Sequence, residues 1–462
     1  MHWLRGPASV GIVALGMIVI LLRPNISAQE QLTAQAAPQP SASPTATPVP
    51  YLTGDWGGAR SRLAQEGVVF RGQILSEFAG NPVGGLQQGT ALASQLALGT
   101  DVNFGKLAHN GAGTLHFTFT AREGSSLSAN AIGNVLQVQQ IFGDGLTPRL
   151  TELSYEQPLF DGKLDDELGR LVTENDFVDG PTYWGSNAWC VFQSLAICGT
   201  PIPILFNSGY VGSPSSAWGA RVRVAPTKNF YLQAAGYQVN PTYAQRGEGF
   251  NLGFGGDTGT FLPVETGYAF TNENGTSIGN LRAGAYYDTS VTAAAESQVT
   301  RFVPATFLNA ALVPPIGFYR GRHGYWFLAD HLIAGGAEPG STGTVAFVNY
   351  EGGDPETALI TNFYDAGILQ HGVFPGRPSD TLALGYAIAD FNPRLRTLEQ
   401  SLQAVNPAVP ITGSESMLEL NYTVQVKPWL TLQPGVQYVM DPSGNASIPH
   451  ALVLELTTTI AF

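Results

Sequence analysis

Cysteine, charge and long apolar runs are all scarce in this chain, and each shortage closes off a class of protein. The 462 residues include two cysteines, Cys190 and Cys198, too few for a disulfide-built fold or a cysteine-rich metal centre. Only 12% of residues are charged, against about 25% in a soluble domain. Past the N-terminus no uncharged apolar stretch reaches the roughly 18 residues that a bilayer-spanning helix needs. Basic residues number 22 against 35 acidic ones, a net charge of −13, which argues against a nucleic-acid partner and against a general preference for anions. His109, His116, His323, His331, His371 and His450 are scattered without metal-ligand spacing, so no metal or cofactor is expected.

What the chain has in abundance is glycine, 55 residues, and period-two alternation. From Met417 onward, Leu418, Leu420, Tyr422, Val424 and Val426 share one face, and Glu419, Asn421, Thr423 and Gln425 the other. Lys427-Pro428 breaks the run, which resumes with Leu430, Leu432, Val436 and Tyr438 against Thr431, Gln433 and Gln437. Counted back from the end, Phe462, Ile460, Leu456, Leu454 and Leu452 oppose Thr459, Thr457 and Glu455. A tilted strand of about ten residues crosses about 25 Å of hydrocarbon, so these runs have spanning length, apolar face to lipid and polar face to a wet lumen.

Sixteen such strands are expected, near 68–78, 95–104, 113–121, 149–159, 164–172, 217–226, 229–239, 264–270, 278–288, 324–334, 343–351, 359–371, 381–390, 416–426, 429–439 and 450–462. Their connections alternate in length. Pro226-Thr227-Lys228 and Lys427-Pro428 are very short, whereas 122–148, 173–216, 240–263, 289–323 and 391–415 are long. Short turns at one end and long loops at the other predict an all-β transmembrane antiparallel barrel with an even strand count, the turns periplasmic and the loops extracellular. A propeller would show a 20–50-residue repeat, and none is present.

Ahead of the barrel, residues 1–28 read as a secretory signal peptide: Arg5 opens it, Ala8 to Leu22 is apolar but short, and Ser27-Ala28 offers a cleavage point, with Ala34-Gln35-Ala36 as the alternative. Removing residues 1–28, which carry Arg5 and Arg23 and no acid, takes the net charge from −13 to −15. Residues 29–50 are a flexible leader rich in Ala, Pro, Ser, Thr and Gln. A periplasmic segment with a short helix, 51–67, precedes the barrel at 68–462.

Several motifs lie along this frame: Gly54-Asp55-Trp56-Gly57-Gly58-Ala59-Arg60, Leu168-Gly169-Arg170, Glu174-Asn175-Asp176-Phe177, Cys190, Cys198-Gly199-x-Pro201 and Trp218-Gly219. In order and combination they resemble the carbohydrate-selective (OprB-type) porins of Gram-negative outer membranes, over nearly the whole mature chain. The resemblance implies passive diffusion of sugars across the outer membrane, one or more loops folded into the lumen, and an arginine and aromatic residues touching sugar at the constriction. A general or ion-selective porin of the same fold is the alternative function.

The 44 residues from 173 to 216 are the expected inward loop, being too long and too aromatic for a bare connection. Exported, Cys190 and Cys198 read as a small-loop disulfide that stiffens it. Sugars present C–H faces to aromatic planes and hydroxyls to charged and amide groups. Trp184 and Trp189 are the expected planes. Alternation turns His116, Thr118, Thr120, Arg122, Glu152, Ser154, Glu156, Arg221 and Arg223 inward. A constriction of mixed charge is therefore predicted from Arg122, Glu123, Glu152, Arg170, Glu174, Asp176, Arg221 and Arg223, with Arg122 first; a salt-bridge lattice that only stiffens the wall is the competing role. Gly275-Thr276-Ser277-Ile278-Gly279 has the spacing of a nucleophile elbow, but it sits in a turn leading into a strand, not between strand and helix, so an enzyme is not expected. Partners are sugars as solutes and outer-membrane lipid, with the chain a monomer or homotrimer.

Overall fold

Alternation becomes pairing in the computed structural model, which describes residues 51–142, 146–178, 180–184, 186–187, 189–198, 202–303, 307–308 and 317–462. The barrel strands are β1 (Val68–Val83), β2 (Gly89–Asn103), β3 (Thr114–Gly124), β4 (Pro148–Leu159), β5 (Leu164–Leu171), β8 (Ala217–Thr227), β9 (Phe230–Val239), β10 (Gly259–Thr271), β11 (Ser277–Ala293), β12 (Phe318–Gly335), β13 (Gly343–Gly353), β14 (Ile360–His371), β15 (Thr381–Phe391), β16 (Ser414–Lys427), β17 (Leu430–Met440) and β18 (Ala451–Ala461). Each pairs antiparallel with its neighbours and β1 pairs with β18, closing the barrel. β6 (Thr182–Tyr183) and β7 (Ser186–Asn187) form a small hairpin in the connection after β5. All sixteen expected strands are present, several running further at their extracellular ends than the alternation does, as β1 does to Val83 and β11 to Ala293.

Burial fixes which face looks where. Leu418, Leu420, Leu454 and Leu456 are 41, 43, 52 and 39% exposed, while Glu419 and Glu455 beside them are 0 and 5% exposed. A soluble protein would reverse this, since apolar area gains about 25 cal/mol per Å² on leaving water. Exposed leucine with buried glutamate means that the outer wall meets lipid and the polar face encloses the interior.

Connections at one end are short, as at 228–229, 272–276 and 428–429; those at the other include 125–147, 172–216, 240–258, 294–317 and 392–413. Helix α2 (Phe104–Ala108) caps a periplasmic turn, while α4 (Pro393–Gln403), opened by the Asn392 side chain accepting from Arg394 N, lies in the last long loop.

In its described residues, helix α3 (Ile202–Asn207) among them, the 172–216 segment folds inside the barrel. Its contacts are inward-facing residues from around the ring: Tyr183 Oη donates to Asp330 Oδ1 (2.6 Å), Gln193 N and Ser194 N to Glu419 (2.5 and 3.1 Å), and Asn207 Nδ2 to the Ile360 carbonyl (2.7 Å).

The β1–β18 joint is fastened from the periplasmic side by helix α1 (Ala59–Glu66) and the residues before it. Leu52 N donates to the Ala461 carbonyl and Phe462 N to that of Gly72, both at 2.9 Å. Arg60 Nη2 reaches the carbonyls of Phe70 (2.8 Å) and Phe462 (3.3 Å), with its guanidinium lying over Tyr51 at 3.1 Å and Trp56 at 5.0 Å. Gly57 and Gly58 take φ of +66 and +89°, which the Gly-Gly pair permits and side chains resist.

Round the ring on the β2 side of that joint, the 240–258 connection bends outward as a flap over β3 to β8. Phe250 stacks on outward-facing Phe119 and Phe254 on outward-facing Trp218, at 6.1 and 5.3 Å between ring centres. Arg149 donates to the carbonyls of Tyr243 and Ala244 and is 1% exposed.

Candidate functional site

The inward segment divides the described lumen into two chambers. Below it, toward the periplasm, a cavity of about 120 Å³ is lined by His116, Glu152, Glu156, Asp165, Glu167, Asp176, Arg221 and Arg223 among others. Above it an open vestibule of about 490 Å³ is lined by Arg122, Gln137, Gln140, Phe142, Phe206, Arg301 and Arg322 among others.

Arg221 is the hub of the lower chamber. Its Nε lies 2.8 Å from Asp176, and its Nη2 lies 2.7, 3.2 and 3.1 Å from Asp165, Glu156 and Glu167. Asp176 belongs to the inward segment and the other three acids to the wall, so one guanidinium ties segment to barrel. Tyr237 Oη adds a bond to Asp176 at 3.1 Å. A second set adjoins the first: His116 bridges Asp101 (2.9 Å) and Glu156 (3.3 Å), Arg71 pairs with Asp101 (2.8 Å), and Thr118 Oγ1 donates to Glu152 (2.7 Å). Arg223 lies over the Tyr231 ring at 4.0 Å.

In the vestibule Arg122 donates through Nε to Gln95 Oε1 (2.7 Å) and through Nη1 to the Ser213 carbonyl (3.1 Å), so the expected arginine touches the inward segment directly. Glu174 supports the same spot from beneath, accepting from Ser213 N (2.8 Å) and Tyr210 Oη (3.0 Å). Arg322 is held by Asp288 (2.9 Å), which is fully buried behind it.

The predicted site residues therefore separate. Arg122 and Glu174 belong to the upper chamber, and Glu152, Asp176, Arg221 and Arg223 to the lower. Two do not face the lumen at all. Glu123 shares the outward face of β3 with Phe117 and Phe119 and is exposed, opposite Ser94, because the residue after inward Arg122 must point away. Arg170 shares the outward face of β5 with Leu168; it is 4% exposed because the flap covers it, bonding Asn251 O (3.0 Å) and Ser216 O (2.5 Å) beneath the Tyr243 ring at 3.9 Å.

Trp184 lines neither chamber. Its ring stacks on His371 at 4.6 Å and 9°, and its Nε1 donates to the Gly336 carbonyl at 2.8 Å, which pins the segment to the periplasmic end of the wall. Trp189 stands in a described turn, but its side chain lies outside the described residues. Cys190 and Cys198 stand side by side as thiols, and Cys198 Sγ hydrogen-bonds Gln140 Oε1 at 3.2 Å. Burial, together with the neighbouring Cys190, pushes the Cys198 thiol well above its ordinary value, which disfavours the thiolate needed for exchange. Ser277, from the elbow-like motif, opens β11 and bonds Asn280 Oδ1 at 3.4 Å.

The sequence reading missed Asp165, Glu167, Asp101 and Arg71. Alternation around outward Leu168 marks Asp165 and Glu167 as inward, so that signal was present. Arg301 and Gln137 lie in long loops, where no period applies.

Compared with known proteins, residues 87–462 match the model of a family described as carbohydrate-selective porin, OprB family. Porin B of Pseudomonas aeruginosa is 30% identical over 431 residues, 89% of this chain and 91% of that protein. The structure of Pseudomonas putida OprB at high pH superposes with a TM-score of 0.80 at 28% identity, covering 89% of this chain and 98% of that one. The low-pH structure of the same protein gives 0.55 at 23% identity and speaks for the fold alone.

Proposed function

We propose, from the premise that this chain belongs to the OprB family of carbohydrate-selective porins, that sugar passes two successive stations separated by the 172–216 segment. The protein is an outer-membrane porin through which carbohydrates diffuse into the periplasm, and its family and fold mark it as a channel. The residues that act in it are our own reading.

The upper station is the vestibule. Arg122 Nη, the amides of Gln137 and Gln140 and the Ser208 hydroxyl offer donors and acceptors to sugar hydroxyls, while Phe142 and Phe206 offer apolar faces. The lower station uses the carboxylates of Glu152, Glu156 and Asp176 as acceptors, with Arg221 and Arg223 as donors. The charged groups Arg122, Glu152, Glu156, Asp176, Arg221 and Arg223 are already engaged by neighbours, so a sugar exchanges one partner for another and is held weakly. Millimolar binding, about −4 kcal/mol, suits a step whose release must stay fast.

The observation that carries this reading is the double fastening of the segment, Ser213 to Arg122 above and Asp176 to Arg221 below. It fixes a narrow place between two hydroxyl-matched chambers. Liposome swelling with purified protein tests it. Glucose is expected to enter faster than an amino acid of similar size, and Arg122→Ala to shrink that difference. Equal rates would make this a general diffusion porin.

A further inference from the structure

The chain sorts its two kinds of cation by place. Its lysines are Lys106, Lys163, Lys228 and Lys427, and every one stands at a short periplasmic connection: in α2, just before β5, between β8 and β9, and at the end of β16. The extracellular loops and the inward segment carry none. All four are exposed, and the ion pairs among the described residues use arginine or histidine alone. Glu66, whose neighbour Gly67 lies against the Lys106 Cβ, and Asp161 and Asp166, which flank Lys163, close no such pair with them. An arginine fork suits a fixed carboxylate, whereas lysine carries a hydrated point charge on a flexible apolar stem.

Round the ring the four lysines fall on one continuous arc, from β16 across the β1–β18 joint to β9. On the remaining arc, the turns 272–276 and 336–342 hold Glu273 and Glu338 and no cation, and Arg377 in the third is taken by Asp380 at 2.7 Å. Each lysine also has an exposed apolar companion: Phe104 and Leu107 beside Lys106, Phe160 before Lys163, Phe230 after Lys228 and Val426 before Lys427. Phe160 is 73% exposed, in a turn where Phe160, Asp161 and Gly162 take φ of +52, +58 and +77°. Glycine and asparagine adopt that backbone most readily, so turn geometry does not account for a phenylalanine there. Lys228 stands where the mouth of the lower chamber meets the outer wall, below outward Val224 and Leu232. An apolar ring beside a long-stemmed cation spans the step from acyl chains to headgroup phosphates. We propose that this arc of the periplasmic rim binds the phosphates of anionic phospholipids in the inner leaflet, the lysines reaching the headgroups and the rings resting at the acyl boundary. The arc from β10 to β15 has no such preference.

Electron spin resonance tests this, on phosphatidylcholine vesicles that hold the purified protein and a trace of spin-labelled phosphatidylglycerol or spin-labelled phosphatidylcholine. The protein is expected to immobilise the phosphatidylglycerol label with a severalfold higher relative affinity in about 0.1 M salt. In about 1 M salt the preference narrows, because the screening length falls from about 10 Å to about 3 Å. Lys106→Gln, Lys163→Gln, Lys228→Gln and Lys427→Gln together, in protein that still shows the heat-modifiable mobility of a folded barrel, should lose most of the preference. Arg246→Gln, in the extracellular flap, should keep it. Equal immobilisation of the two labels by the wild type, or a preference that survives the four substitutions, overturns the proposal. It is overturned also if the wild type discriminates between no lipids but sediments with purified peptidoglycan while the fourfold variant does not, since the lysines then serve the cell wall.

Discussion

Removing the Arg221 guanidinium is the sharpest perturbation this molecule offers. The side chain is 5% exposed and stands within 3.2 Å of four carboxylates, one of them on the inward segment. In Arg221→Met those acids keep their burial and lose their cation. Breaking a buried ion pair by deleting one partner costs about 3–5 kcal/mol. If that cost falls on seating the segment, the ratio of seated to unseated forms shifts by roughly a hundredfold to several thousandfold, at 1.4 kcal/mol per factor of ten. The barrel's strand ladder does not pass through this contact, and the segment keeps its anchors at Asp330, Glu419 and Ile360. Residues 173–178 should therefore swing while the barrel stays closed. In planar bilayers the variant is expected to show higher and noisier single-channel conductance, with unchanged heat-modifiable mobility on gels. Adding Asp176→Asn removes the acid that the segment itself carries and should recover part of the wild-type behaviour. Wild-type conductance and noise in folded Arg221→Met protein would refute the reasoning.

Three further outcomes follow from contacts elsewhere. Arg170→Ala should raise the rate of tryptic cleavage at exposed Arg246 in the flap and leave conductance unchanged, because Arg170 holds the flap from outside the lumen. Arg60→Ala removes the donor shared by the Phe70 and Phe462 carbonyls; at about 1.5–3 kcal/mol for a charged hydrogen bond, the temperature at which the barrel band shifts on gels should fall, and Arg60→Lys should recover only part of it. Asp380 sits in the periplasmic turn 372–380; burial opposes its charge, but donors from Arg377, Tyr422 Oη and Gln425 N outweigh that and hold its carboxyl below the ordinary value. Its contribution is present above the unfolded value near pH 4 and is lost as pH falls through the lower folded value, so wild-type thermal stability should drop in that acid window and Asp380→Asn should flatten the drop.

The wall was legible because lipid on one side and water on the other impose period two on every spanning strand. The strand ends were less so. Past the hydrocarbon both faces of β1 and β11 meet protein or water, and the alternation that marks a strand disappears. Arg221 and Arg223 could be assigned from parity alone, since Val222 and Val224 beside them are exposed. Arg170 and Glu123 were drawn into the lumen by their charge although parity places them outside. Only the flap, joined to the chain some 70 residues later, explains how an arginine tolerates that side. Trp184 was read as a surface for substrate, yet its partners Gly336 and His371 lie more than 150 residues away. No local pattern announces such a contact.

The joint between β1 and β18 also bears on how such a molecule comes into being. Because β1 pairs with β18, Phe462 N bonds the Gly72 carbonyl and Arg60 grips the Phe462 carbonyl, the ring has no means of shutting until β18 has been made. Until then two raw edges stay open, one on β1 and one on the strand formed last, and whatever escorts the chain to the membrane must keep both from finding strangers. A circular permutant that fuses the old termini and opens the 272–276 turn would move that vulnerable moment to the β10–β11 pair, and would leave the Arg60 clasp with nothing left to fasten.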